Sequence, residues 1–134
     1  MKKIAVFISG GGTDLQSLID SVHEKSGVIR LVVSSREDAY GLERAKRKGI
    51  ETMVLPKGDY DSALLEELKK REVEWIVLAG FLKILTPAFI CHFPRHIVNI
   101  HPSLIPAFSG PGFYGMRVHE AVYHAGVKWS GATV

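Results

Sequence analysis

The sequence predicts an α/β fold: an open, mostly parallel sheet with helices on both faces. Short β-branched apolar runs alternate with stretches of helical period. Glycine or proline punctuates most of the changes, at Gly10-Gly11-Gly12, Gly49, Pro56-Lys57-Gly58 and Gly80. At 134 residues the chain suits one domain with one core. Strands separated by helices of this length form βαβ units, so the sheet is parallel, covered on both faces and joined by right-handed crossovers.

Residues 3–8, apolar after Lys3 and rich in β-branched side chains, predict a buried strand. Residues 14–24 carry Leu15, Leu18, Ile19 and Val22 at helical spacing, with Thr13 or Asp14 as N-cap. A second strand is expected over 28–33, then a helix over 39–48 closed by Gly49. A short strand at 52–55 precedes a helix over 59–71, with Leu64, Leu65 and Leu68 on one face. Residues 75–79 and 97–100 read as the fourth and fifth strands. The longest irregular stretch, 102–115, has the length of a functional loop. A helix over 117–124, stopped by Gly126, leads into an extended segment at 129–134, where the sequence ends inside an expected strand.

With 46% apolar and 23% charged residues, the composition is that of an ordinary globular protein. The net charge of +3 is spread out. The one dense run, Glu43-Arg44-Ala45-Lys46-Arg47-Lys48, reads as a solvated helix face, so no nucleic-acid partner is expected. A single cysteine, Cys91, excludes an intrachain disulfide and a cysteine-cluster zinc site, and favours a cytoplasmic setting. The apolar run at 4–8 is too short for a secretory signal core of roughly 7–15 residues. No stretch approaches the roughly 18 apolar residues of a membrane span.

Three stretches carry chemistry. Ser9-Gly10-Gly11-Gly12-Thr13-Asp14 lies between a strand and a helix. Glycines allow close backbone approach there, and a helix N-terminus favours an anion. The residues alone leave open whether this is a phosphate seat or a tight turn without a ligand. Asn99 and His101 stand two apart at a strand end closed by Pro102, so both point to one face. An amide donor beside an imidazole suits stabilisation of an oxyanion and transfer of a proton. Leu78-Ala79-Gly80-Phe81-Leu82-Lys83-Ile84-Leu85 is a third strand end, read either as core packing or as the wall of a slot for a flat heterocycle.

In this order, the three stretches resemble the folate-dependent formyltransferases, and among them the phosphoribosylglycinamide formyltransferases. The most specific segment is Asn99-Ile100-His101-Pro102-Ser103-Leu104. Leu42-Glu43-Arg44-Ala45, Leu78-Ala79-Gly80-Phe81 and Gly131-Ala132-Thr133-Val134 strengthen the resemblance. It implies the Rossmann-like formyltransferase fold in one domain over residues 1–134, an N-terminal nucleotide-binding part followed by the start of the folate and catalytic part. The C-terminal strands of that fold would lie beyond Val134. The implied reaction transfers a formyl group from 10-formyltetrahydrofolate, as co-substrate, to the amine of glycinamide ribonucleotide, a step of purine biosynthesis that needs no metal. Gly11, Gly12, Thr13 and Asp14 would hold the ribonucleotide phosphate. Leu82, Lys83, Ile84 and Leu85, with Asn99, would contact the folate. Asn99 would bond the formyl oxygen, and His101 would stabilise the oxyanion and act as general acid.

The resemblance also implies a cis Ile105–Pro106 bond. It places the aspartate that tunes the histidine beyond Val134. Thr13-Asp14 departs from the Ser-Asn of many relatives. A non-catalytic phosphate-binding α/β module, or an inactive fragment, is the alternative reading. No membrane partner is expected, and a homodimer is compatible with the sequence.

Overall fold

In a computed structural model describing residues 1–134, the first strand of the chain lies at the centre of a five-stranded sheet. The strands are β1 (Lys2–Ile8), β2 (Gly27–Ser34), β3 (Thr52–Val54), β4 (Trp75–Ala79) and β5 (Ile97–Ile100), in the order β3-β2-β1-β4-β5. The β1·β2, β1·β4 and β2·β3 ladders are parallel. The helices are α1 (Thr13–Ser21), α2 (Gly41–Arg47), α3 (Asp61–Lys70), α4 (Pro87–Ile90) and α5 (Met116–Ala125).

Strand alternation divides the core. Val6 and Ile8 of β1 face one cluster with Leu15, Ile19, Leu42 and Ala45. Ala5 and Phe7 face the other, with Leu64, Leu68, Ile76, Leu85 and Phe89. Ala5, Val6, Phe7 and Ile8 are therefore wholly buried, as a strand covered on both faces requires. The chain lays β2 and β3 to one side of β1, then crosses to β4 on the other. That reversal is the topological switch point, and ligands bind open α/β sheets outside the carboxyl ends of the strands there.

The observed elements depart from the sequence expectation in four places. First, α1 ends at Ser21, because the Val22 carbonyl collects the amides of Lys25, Ser26 and Gly27 in a turn. Second, neither Thr13 nor Asp14 is the N-cap. That position is Gly12, left-handed at φ 74°, with no side-chain cap. Third, α4 is an additional single-turn helix. Fourth, the extended segment expected at 129–134 reduces to one antiparallel bridge, His101 with Thr133. The rest of that segment has no ladder partner.

The chain forms two compact units, Met1–Val98 and Asn99–Val134. No helix is long and apolar enough to cross a membrane.

Candidate active site

The glycine-rich turn at the carboxyl end of β1 has all three of its carbonyls occupied. The Gly10 carbonyl accepts the Gly41 amide at 3.0 Å, and the Gly12 carbonyl accepts the Gln16 amide at 2.9 Å. Between them, the Gly11 carbonyl accepts Arg44 Nε at 2.7 Å. With the oxygens engaged, the remaining polar groups of the turn are amides, including those of Thr13, Asp14 and Leu15, which precede the helical ladder. Such a surface suits an anion, and the positive end of the α1 dipole adds to it. The Asp14 side chain is exposed.

Close approach fixes this geometry. A Cβ on Gly12 would stand 2.7 Å from the Gly41 Cα, and one on Gly41 would stand 2.4 Å from Ile8 Cδ1. Only glycines let the turn and the start of α2 touch in this way. Arg44 then lies across the turn, its guanidinium 5.0 Å from the Tyr40 ring centroid and its Nη1 3.4 Å from Gln16 Oε1.

The loop after β4 is tied to the same place. The Leu82 amide donates to Ser9 Oγ at 2.9 Å, and Ser9 Oγ lies 2.5 Å from Ser35 Oγ. Of the four residues expected to meet folate, Leu82, Lys83 and Ile84 are exposed, Ile84 at 92%. Leu85 turns inward to the core, so only its main chain could serve a ligand. Lys83 Nζ sits 5.6 Å from the Tyr60 ring centroid, within cation–π range. Burial, with the Asp61 charge adding to it, pushes the Tyr60 phenol above its ordinary value. Phe81 packs edge-on against Phe7, a core contact.

In the Asn99–Val134 unit, Asn99 is exposed on β5 and His101 is half-buried. The His101 backbone exchanges two bonds with Thr133, each 2.8 Å. Its Nε2 lies 3.0 Å from the Phe108 carbonyl oxygen. Ser103, 1% exposed, donates to the Ala107 carbonyl at 2.6 Å. Thr133 Oγ1 donates to the Ser103 carbonyl at 2.6 Å and accepts the Ile105 amide at 3.0 Å. The Ile105–Pro106 peptide is cis, as expected. No group of three or more His, Cys, Asp or Glu side chains is placed to hold a metal ion.

The formyl transferase family model matches residues 2–134. The chain belongs to the formyl transferase family. Among its relatives, the chloroplastic phosphoribosylglycinamide formyltransferase of Arabidopsis thaliana is 39% identical over 99% of this chain and 49% of its own length. The phosphoribosylglycinamide formyltransferase of Escherichia coli K12 is 37% identical over 98% of this chain and 63% of its own. The crystal structure of glycinamide ribonucleotide transformylase 1 from Geobacillus kaustophilus superposes with a TM-score of 0.85 at 36% identity, over 99% of this chain and 72% of that one. The chain thus spans from about half to under two thirds of the length of these two curated relatives.

Within the formyl transferase fold, Gly11, Gly12, Thr13 and Asp14 stand together at the end of β1, and Ser9 joins them to Leu82. Asn99 and His101 lie two residues apart in the second unit. Arg44 was not among the expected contacts of the turn. Its place in a basic helical run reads as solvated surface, and the contact that matters spans 33 residues of sequence. Phe108 and Thr133, which meet His101, and Ser103, which bonds the Ala107 carbonyl, were not among the expected site residues. Ser103 lies in the Asn99–Leu104 segment and Thr133 in the Gly131–Val134 segment, but neither segment marks them as neighbours of His101, and Phe108 is signalled only by the length of its irregular stretch.

Proposed function

We propose that this chain carries the formyl transfer from 10-formyltetrahydrofolate to the amine of glycinamide ribonucleotide. The observation that supports it most is alignment of nearly the whole chain with proteins named phosphoribosylglycinamide formyltransferase. The amides at Gly11, Gly12, Thr13 and Asp14 would receive the ribonucleotide phosphate. Leu82 and Ile84 would offer apolar surface to the folate heterocycle, with main-chain groups of Lys83 and Leu85 fixing its edge.

10-Formyltetrahydrofolate supplies the formyl carbon. Attack by the amine forms one C–N bond and moves the carbonyl electron pair onto oxygen. Asn99 and His101 would stabilise that oxyanion by hydrogen bonding. As the pair returns, the C–N bond to folate breaks, and the proton lost by the attacking amine is balanced by one delivered to the folate nitrogen, with His101 as acid. We further propose a single domain over residues 1–134, a cytoplasmic setting, and neither nucleic acid, membrane nor metal among its partners. A homodimer is compatible with this reading.

The test is formyl transfer itself, followed by absorbance of the deformylated folate. Turnover that falls by roughly 10²–10⁴-fold in His101→Ala is the expected result. Binding of ribonucleotide phosphate without folate-dependent turnover would instead favour a non-catalytic phosphate-binding module.

A further inference from the structure

We propose that His101 acts through Nδ1, and that Ser103 is the positioning residue that sets this by fixing the Phe108 carbonyl against the other ring nitrogen. The inference rests on the role of His101 given above. A carbonyl oxygen only accepts, so its 3.0 Å contact with Nε2 makes Nε2 the protonated nitrogen of the neutral ring. Nδ1 is then the nitrogen that gains a proton and gives it up. The cationic ring donates from Nδ1 to the departing folate nitrogen. It recovers a proton there from the ammonium formed by attack, and keeps the Nε2 proton throughout.

The carbonyl does not reach this place by default. Phe108 sits at φ 51°, a conformation that side-chain-bearing residues seldom adopt. Strain of that kind persists only where neighbouring bonds impose it. The Ser103 hydroxyl donates to the preceding carbonyl, Ala107, at 2.6 Å and lies 3.5 Å from the Phe108 oxygen. The Ala107 amide returns to the Leu104 carbonyl at 3.0 Å. The Phe108 ring meets Phe113 edge-on, with centroids 6.3 Å apart. At the other end, Thr133 holds both the His101 backbone and the Ser103 carbonyl. Ring and carbonyl are thus anchored within one short stretch of chain, with a buried hydroxyl at its centre.

The experiment is ¹⁵N NMR of histidine-labelled protein, at a pH well above the ordinary histidine pKa of about 6.5. His101 is assigned by its loss in His101→Ala. The wild type should show the Nε2–H tautomer. In Ser103→Ala the Nε2–H fraction should fall, with kcat down about tenfold and KM for both substrates little changed. Ser103→Thr, which keeps the hydroxyl, should restore both. Ser103→Cys keeps a similar side-chain shape, though slightly larger, and weakens the donor, so it carries the same test should the alanine variant fail to fold. An Nδ1–H tautomer in the wild type, or a tautomer indifferent to Ser103, overturns the proposal. The spectra require no turnover. An Nε2–H tautomer that depends on Ser103, in a chain that transfers no formyl group, would uphold the positioning role and count against the reaction.

Discussion

The turn at Gly10-Gly11-Gly12 and the irregular stretch from Pro102 to Gly115 are both rich in glycine, yet glycine does different work in each. In the turn, Gly12 is pressed against the backbone of Gly41, and a side chain on either residue has nowhere to go. In the longer stretch, Gly110, Gly112 and Gly115 have open space where a Cβ would stand, and their positive φ alone selects glycine. Packing shapes the first region. Hydroxyl-to-carbonyl bonds from Ser103, Ser109 and Thr133 shape the second. Composition does not distinguish a backbone confined by its neighbours from one tied by hydrogen bonds.

The contrast predicts a ranking. Gly12→Ala combines a clash with rigid backbone at 2.7 Å and a left-handed φ of 74°, and should lose on the order of 3–4 kcal/mol in urea unfolding. Next comes Arg44→Met, which keeps the side-chain stem but frees the Gly11 carbonyl to turn toward the anion. It should raise KM for the ribonucleotide about tenfold, roughly 1.4 kcal/mol, with kcat little changed. A fall in kcat alone would show that Arg44 does not act through the turn. Gly112→Ala meets only the dihedral penalty and should cost about 1 kcal/mol in the same urea measurement. If it proved as costly as Gly12→Ala, the distinction between the two regions would break.

The smallest effect is electrostatic and belongs to the Met1–Val98 unit. Hydrogen bonding to Arg71 holds the Glu67 carboxyl below its ordinary value, Lys3 does so for Glu72, and the Lys3 amide for Glu74. A carboxyl depressed in the folded state adds stability above its unfolded pKa. That stability is lost as pH falls through the folded value. The urea midpoint should therefore decline slightly from the ordinary glutamate range, about 4.3, downward. Glu72 and Glu74 are exposed and Glu67 is half-buried, so added salt should shrink the decline.

Much of the fold was legible because burial on both faces of a parallel sheet writes itself as apolar runs. The bounds predicted at 75–79 and 97–100 are those of β4 and β5. Where the prediction slipped, the deciding contact was remote or the element too small. One turn of helix, α4, leaves no periodicity. Its sign was Thr86-Pro87, a cap followed by a helix-starting proline, and Thr86 Oγ1 does accept the Phe89 amide at 3.1 Å. Thr13 looked like a cap, but the approach of Gly41 selects a glycine there instead. Asn99 and His101 could be singled out by their spacing at a strand end. The Phe108 carbonyl could not, because a backbone atom carries no mark in the sequence and its placement depends on a left-handed phenylalanine.

One hydroxyl ties these regions of the first unit together. Ser9 ends β1 beside the Ser35 hydroxyl just past β2, and it takes the Leu82 amide from the loop after β4. If Ser9 gives its own proton to Ser35, its oxygen receives Leu82 and all three groups are satisfied. The joint links the end of β1 to Ser35 and to the loop after β4 through two hydrogen bonds. If the glycine turn receives the phosphate as proposed, a shift of the end of β1 would be passed through Ser9 to the Leu82 amide.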